Sequence, residues 1–454
     1  MVWDWFIEGY RLSPAAADRE VRRLDGGPFG IILPQLLNGS AGFIIPLWRS
    51  LLRPEPQPLA TRDVIIVGAG PAGSYTAYRL ASLGYEVLVV EEHERVGEPV
   101  NCSGLIGAEA FERYDLPRRS ILRGFDRARF ISPGGYEAVV SAARTVGYVV
   151  DRGDFDRSLA EQAQEAGAAY RLGTRCVAVK PVEDGVEVSV RVAGGGEETL
   201  KARALVLGTG VRYGLLKASG WSRPGAFLNT AQAEVGMRGV EDVEVYLGKD
   251  VSPGSFAWAI PLGRERVKLG VCNHGRALSY MERLLSHPSV AGRLANGQPE
   301  IKTKPVPISP AARTYFERTL LVGDVAGQVK PTTAGGIYYG IVCADAAARV
   351  LDCALKRGDL GERALRSYER LWRKEIGREL WVGRHFRRLG GLLSDRQIDR
   401  LIRAYREPEF RDLVRRTADF ERHSRFILAL LASPIFWAGL LDPIRATVKL
   451  NGSA

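Results

Sequence analysis

The sequence predicts an α/β protein: a doubly wound domain on a parallel sheet, an inserted antiparallel-sheet domain, and a helical C-terminal region. Three observations carry this reading. A buried-strand pattern, "DVIIVG", passes through a glycine turn into a helix-forming stretch and then a second apolar strand, "YEVLVVEE", which completes a β-α-β unit between residues 62 and 92. Between Trp221 and Lys304 the pattern becomes alternating strands, "DVEVYLG", "SFAWAIPLG" and "RVKLGVC", as an antiparallel sheet with one covered face requires. From about Gly361 the chain reads as helices.

Taken in order, residues 1–61 form an N-terminal extension that ends in a Pro-rich hinge, "LLRPEPQPLATR". It lacks the basic start, apolar core and cleavage site of a signal peptide in that order. An uncharged run at 28–48 has the length of a membrane span, but three prolines and three glycines interrupt it, which leaves a re-entrant or interfacial segment as the alternative. Residues 62–220 supply the first part of the doubly wound domain, 221–308 the antiparallel sheet, and 309–362, opening on "RTLLVGDVAG", the second part. Residues 363–454 are the basic helical region.

With 46% hydrophobic and 25% charged residues among 454, the chain is globular rather than disordered. Its net charge of +11 is concentrated late, because Arg363 to Arg425 holds seventeen Arg and one Lys against ten acids. That stretch runs into "FILALLASPIFWAGLL" (426–441), which is uncharged and broken by Pro434, so it is too short to span a bilayer. Basic residues beside an apolar helix suit an anionic membrane surface rather than nucleic acid. A solvated helical cap would give the same pattern. Five scattered cysteines form neither a disulfide framework nor a metal-ligand set, as in a reducing cytoplasm.

The glycine turn reads Gly68-x-Gly70-x-x-Gly73, with Ala72 inside it. Such a turn lets backbone approach a pyrophosphate and lets the helix pack on the sheet, and its helix N-terminus favours negative charge. Glu91, ending the next strand, stands where an acid binds ribose hydroxyls and argues against a 2′-phosphate. A second landmark lies far downstream. In "LLVGDVAGQVKPTTAGGIYYGI" a strand delivers Asp324, and a Pro-containing loop leads to Gly335, Gly336 and a helix opening at Ile337. An acid for a polyol chain and a helix N-terminus for developing negative charge suit the ribitol and ring edge of a flavin, so the cofactor expected is FAD.

The chain resembles the flavoproteins of the p-hydroxybenzoate hydroxylase fold and, among them, the geranylgeranyl reductases, over roughly residues 62–441. The resemblance rests on "GAGPAG…VVEE", "PVNCSGLIG", "VDRGDFDRSLAEQA", "GDVAGQVKPTTAGGI" and "SPGSFAWAIPLGRERVKLGV". It implies a FAD-binding (Rossmann-like) domain in which Cys102, Ser103, Gly104, Arg152 and Val177 join the cofactor residues already named. It also implies a substrate domain, in which Phe256, Trp258 and Pro261 suit the wall of an apolar tunnel for a long polyene; packing of the sheet on the flavin domain is the competing reading for each. Ser255, Phe256, Ile260 and Ala334 depart from the pattern, at positions where the family prefers Gly, Tyr, Phe and Gly.

The activity so implied is reduction of C=C bonds in the geranylgeranyl chains of an archaeal-type prenyl phospholipid, by hydride from reduced flavin. Cys102, Tyr338 or Tyr339, or an ordered water, are the candidates for the proton donor. Nothing near Cys102 in the sequence visibly acidifies it, and a small residue chosen for its size is the competing reading. The implied partners are the prenyl lipid, an external electron donor (ferredoxin or a nicotinamide), and the cytoplasmic face of a membrane. Two other functions fit the sequence: a flavin monooxygenase acting on an aromatic ring, and a non-catalytic, membrane-associated redox sensor.

Overall fold

The computed structural model describes residues 61–440; the extension at 1–60, with its apolar run, and residues 441–454 lie outside the described residues. Strand Arg62–Val67 pairs in parallel with Val87–Val90 on one side and Glu197–Leu207 on the other. Ala169–Arg171 and Thr319–Leu321 extend the parallel row. Its side chains alternate between two buried faces, which explains the unbroken apolar run. Val64 and Ile66 face the helices Pro71–Ala81, Arg152–Glu165 and Ile337–Arg357. Ile65 and Val67 face the other way, where the antiparallel strands Thr174–Val182 and Gly185–Val192 fold over the sheet. The Rossmann-like sheet is therefore covered by helices on one face and by strands on the other.

The turn after the first strand admits only glycine at two points. Gly68 has φ +105°, and a Cβ there would lie 2.4 Å from Gly208 O; at Gly73 a Cβ would lie 2.0 Å from Gly68 O. The helix thus approaches the turn as closely as backbone atoms allow.

The second sheet runs in the order Lys302–Pro307, Phe227–Gly236, Arg266–Asn273, Phe256–Gly263, Val243–Tyr246, Arg127–Ile131, Glu137–Ser141. The strands between 221 and 308 pair antiparallel. The hairpin 127–141, placed by the sequence in the first domain, joins this sheet instead, with Arg127–Ile131 parallel to Val243–Tyr246. Without it, Val243–Tyr246 would present an open row of N–H and C=O groups. Helix Ala277–Ser286 covers one face through Met281 and Leu284. The opposite face carries Trp258 and Ile260. Trp258 lies over its cross-strand neighbour Gly270, where a Cβ would come within 2.3 Å of the indole.

Helices Glu362–Trp372, Arg378–Gly390, Asp395–Ala404, Pro408–Thr417, Ser424–Ala432 and Pro434–Leu440 complete the described residues. The apolar run breaks at Pro434, as its sequence requires. Phe410, Val414, Leu430 and Phe436 form a small core of their own against Val140 of the hairpin. Asp399 fixes the hairpin turn by accepting hydrogen bonds from Ser132 Oγ and Gly134 N, both at 2.7 Å. No helix among the described residues is long and apolar enough to cross a membrane.

Candidate active site

A cavity of about 2470 Å³ opens where the glycine turn, the second sheet and the C-terminal helices meet. Gly68, Gly70, Ala72, Glu91 and Val177 line one part of it. Glu91 is buried; its Oε2 accepts from Ala69 N at 2.8 Å and its Oε1 from His93 N at 3.0 Å, so the acid braces the turn beside the place for a ribose. Asp324, Gly335, Gly336 and Ile337 line a further part. Asp324 Oδ2 stands 3.1 Å from Lys304 Nζ, and a Cβ on Gly336 would come within 2.8 Å of Asp324 Oδ1. Room for backbone alone, with an acid beside a helix N-terminus, fits the flavin end of FAD. Ala334 takes φ +56°, the left-handed conformation, which accounts for a preference for glycine at that position.

Cys102 and Ser103 sit on the cavity wall, in a loop tied to the second sheet. Asn101 Nδ2 donates to Thr303 O at 2.9 Å, and Asn101 Oδ1 accepts from Gln232 Nε2 at 3.3 Å. Gly104 turns the loop at φ +82°; a Cβ there would lie 2.6 Å from Val150 O. Arg152 pairs with Asp156 through Nε at 3.1 Å and Nη2 at 2.8 Å. Burial pushes the Cys102 thiol up, but Arg152, the Gly104 N–H, Lys304 and Lys268 outweigh it and hold the thiol below its ordinary value. The acidifying groups that the sequence did not reveal are therefore present, brought in from remote positions.

Three expectations need correction. Tyr338 and Tyr339 do not line the cavity, whereas Ile337 and Gly340, one helical turn apart, do. The intervening tyrosines point into the core, where Tyr338 donates to Glu109 Oε1 at 2.7 Å and Tyr339 to Glu421 O at 3.0 Å. Burial raises Tyr338 to about 12, and both phenols are spent on these hydrogen bonds within the core. Pro261 also leaves the channel. On strand Phe256–Gly263 residues 256, 258 and 260 face the cavity, and Pro261, one step out of phase, contributes to a separate surface pocket with Arg123 and Glu241.

One stretch of the remaining wall is aromatic and apolar, beside charged residues such as Arg411, Asp412 and Arg415. Phe256, Trp258, Ile260, Phe410, Phe420 and Phe426 all line the cavity; Phe256 and Phe420 pack against the cluster that holds Trp258 and Ile260, and the rings of Phe125 and Phe420 lie 5.2 Å apart. Trp258 Nε1 is buried without a hydrogen-bond partner. Sequence reasoning missed Ile260, Lys304 and the residues around Phe420; period-2 alternation alone would have found Ile260.

These features are those of a flavoprotein oxidoreductase: a dinucleotide cradle, a flavin-fitting loop and an aromatic stretch of wall share one cavity with the Cys102 thiol. A family model for pyridine nucleotide-disulphide oxidoreductases matches residues 62–246. A digeranylgeranylglycerophospholipid reductase of Methanocaldococcus jannaschii is 33% identical over 358 residues, 76% of this chain and 90% of that protein. A second, from Methanothermobacter thermautotrophicus, is 31% identical over 368 residues, 75% and 91% of the two chains. Among solved structures, a geranylgeranyl bacteriochlorophyll reductase-like protein of Thermoplasma acidophilum superposes with TM-score 0.72 at 24% identity, covering 82% of this chain and 96% of that one. A halogenase solved in complex with FAD shares the fold at TM-score 0.62 and 15% identity, over 83% and 87% of the two chains. The chain belongs to the digeranylgeranylglycerophospholipid reductase family, and its cofactor is FAD.

Proposed function

We propose that this protein reduces the C=C bonds of geranylgeranyl chains in an archaeal-type prenyl phospholipid. The observation that carries the reading is the continuity of the flavin cradle with an apolar channel of aromatic walls, in a cavity larger than the roughly 300–1,000 Å³ of a small-molecule site. FAD, when reduced, supplies the hydride. The chain's own residues do the rest: the glycine turn and Glu91 hold the dinucleotide, and Phe256, Trp258 and Ile260 position the polyene and exclude water. Cys102, in the cavity wall with Arg152 and Lys304, is our candidate for giving the proton that alkene reduction consumes.

The same reading places the protein at the cytoplasmic face of a membrane. Trp381 on a C-terminal helix and Leu392 in the turn after it are exposed within the Arg-rich stretch that carries most of the net charge, and Leu428 and Trp437 are exposed on the uncharged helices that follow it. The electron donor reaches the flavin from outside, as reduced ferredoxin or a nicotinamide.

The test is anaerobic. Protein reduced with dithionite is given a digeranylgeranyl phospholipid in detergent, and the lipid is followed by mass spectrometry. A gain of two hydrogens per double bond is expected. An unchanged lipid beside fully reduced flavin would reject the substrate, and NADPH oxidation with oxygen uptake would then favour a monooxygenase.

A further inference from the structure

Arg387, on the helix Arg378–Gly390, is 8% exposed and has no carboxylate partner among the described residues. Its Nε donates to Pro331 O, and its Nη2 to Thr332 O at 2.8 Å. Its Nη1 reaches Ser255 Oγ at 3.0 Å and Gly254 O at 3.4 Å. One guanidinium therefore joins the C-terminal helices, the loop before Gly335 and the start of the channel strand. Lys330, buried one residue before Pro331, is by contrast neutralised by Glu421. A buried cation without a counter-ion is costly, so its retention calls for an anion that the protein alone does not supply.

The loop shows where that anion belongs. In a trans peptide the C=O of one residue and the N–H of the next point in opposite directions. With the Pro331 and Thr332 carbonyls held by Arg387, the amides of Thr332 and Thr333 point away from it. Both threonines line the cavity, and neither amide donates to an acceptor among the described residues. The turn is closed around them by Ala334 N to Lys330 O at 2.9 Å and Lys330 N to Gly335 O at 3.0 Å.

We propose that Arg387 is a positioning residue for the flavin: it turns two backbone amides toward the cofactor and sets an uncompensated positive charge behind them, favouring the reduced, negatively charged form. The proposal rests on the FAD reading and adds to it the group that makes the bound flavin easier to reduce.

The test is the midpoint potential of the FAD-loaded full chain, measured anaerobically for wild type, Arg387→Gln and Arg387→Lys, with thermal unfolding in parallel. Wild-type protein is expected to bind reduced FAD more tightly than oxidised FAD, raising the potential above that of free FAD. Arg387→Gln, which can still donate to one carbonyl, is expected to lose at least tenfold of that preference, a shift of about 30 mV for a two-electron couple. Arg387→Lys keeps the charge and is expected to fall between them. A folded, flavin-replete Arg387→Gln with unchanged potential, even with reduced stability, would make Arg387 a packing staple and overturn the proposal. Should that variant not fold, a wild-type potential at or below that of free FAD overturns it equally. A chain that retains no FAD refutes the cofactor reading itself, which keeps the two failures distinct.

Discussion

Lys330 Nζ lies 2.6 Å from Glu421 Oε2, with the two side chains 6% and 3% exposed. The pair joins the flavin-facing loop to the segment between the last long helices. Lys330 also donates to Phe420 O at 3.0 Å and stands 4.7 Å from the centre of the Phe420 ring, while Glu421 Oε1 accepts from Gly107 N at 2.8 Å. Burial pushes the Glu421 carboxyl up against the opposing pull of Lys330. Replacing one partner leaves an unpaired buried charge. Lys330→Met is expected to destabilise by about 3–5 kcal/mol, and the double variant Lys330→Met/Glu421→Leu to recover much of that loss. Denaturant midpoints for the cycle provide the check, and simple additivity would contradict the pairing.

His423 gives the fold an acid-side weakness. Its Nδ1 lies 2.6 Å from Thr332 Oγ1 and its Nε2 3.0 Å from Phe420 O, so both ring nitrogens are used by the neutral form. Burial, followed by the nearby charge of Lys330, lowers it to about 4 from 6.5. The folded state thus binds the proton more weakly than the unfolded chain. The associated stability is complete above pH ~6.5 and is lost as pH falls toward ~4, up to about 3 kcal/mol at 1.36 kcal/mol per unit. His423→Asn is expected to flatten the stability profile between those values. An unchanged slope would show that another group governs it.

Cys102 is expected to titrate below an ordinary thiol. In flavin-free protein its alkylation by iodoacetamide should therefore be half-maximal at a lower pH than for a free cysteine. Arg152→Gln removes the strongest favourable charge, so the midpoint should rise. Cys102→Ser should still retain FAD while slowing lipid reduction. Full activity in that variant would leave the proton to water.

The alternation of strand Phe256–Gly263 makes a paired prediction. Ile260→Trp places bulk in the channel and should raise KM or abolish turnover of long prenyl chains with flavin content unchanged. Pro261→Ala, on the other face, should leave both close to wild type. Equal effects from the two substitutions would mean that the strand does not form the channel wall.

Much of this arrangement could be read before any coordinates. Gly68, Gly70, Glu91 and Asp324 announce themselves because a glycine turn and a strand-end acid are local patterns whose neighbours in sequence are also neighbours in space. The environment of Cys102 is not local: Arg152 and Lys304 come from other elements, so no window of sequence contains them. Residue type alone makes Tyr338 and Tyr339 look like proton donors, whereas the helical phase that puts Ile337 and Gly340 on the cavity turns the tyrosines inward. The hairpin at 127–141 escaped for a related reason: which sheet a strand joins depends on the edge left open, not on its own pattern. Arg387 and Glu421 sit within a long run of charges, where buried and solvated members look alike.

Residues 421, 423 and 387 all hold the loop at 330–336 from the C-terminal side. During synthesis that loop leaves the ribosome before any of its three braces has been made. A nascent chain can thus assemble its dinucleotide turn early, yet the flavin-facing loop gains its final anchors only when the tail arrives. Damage confined to the tail, by proteolysis or a late frameshift, would accordingly unsettle the chemistry of a centre whose cofactor cradle is encoded more than three hundred residues upstream.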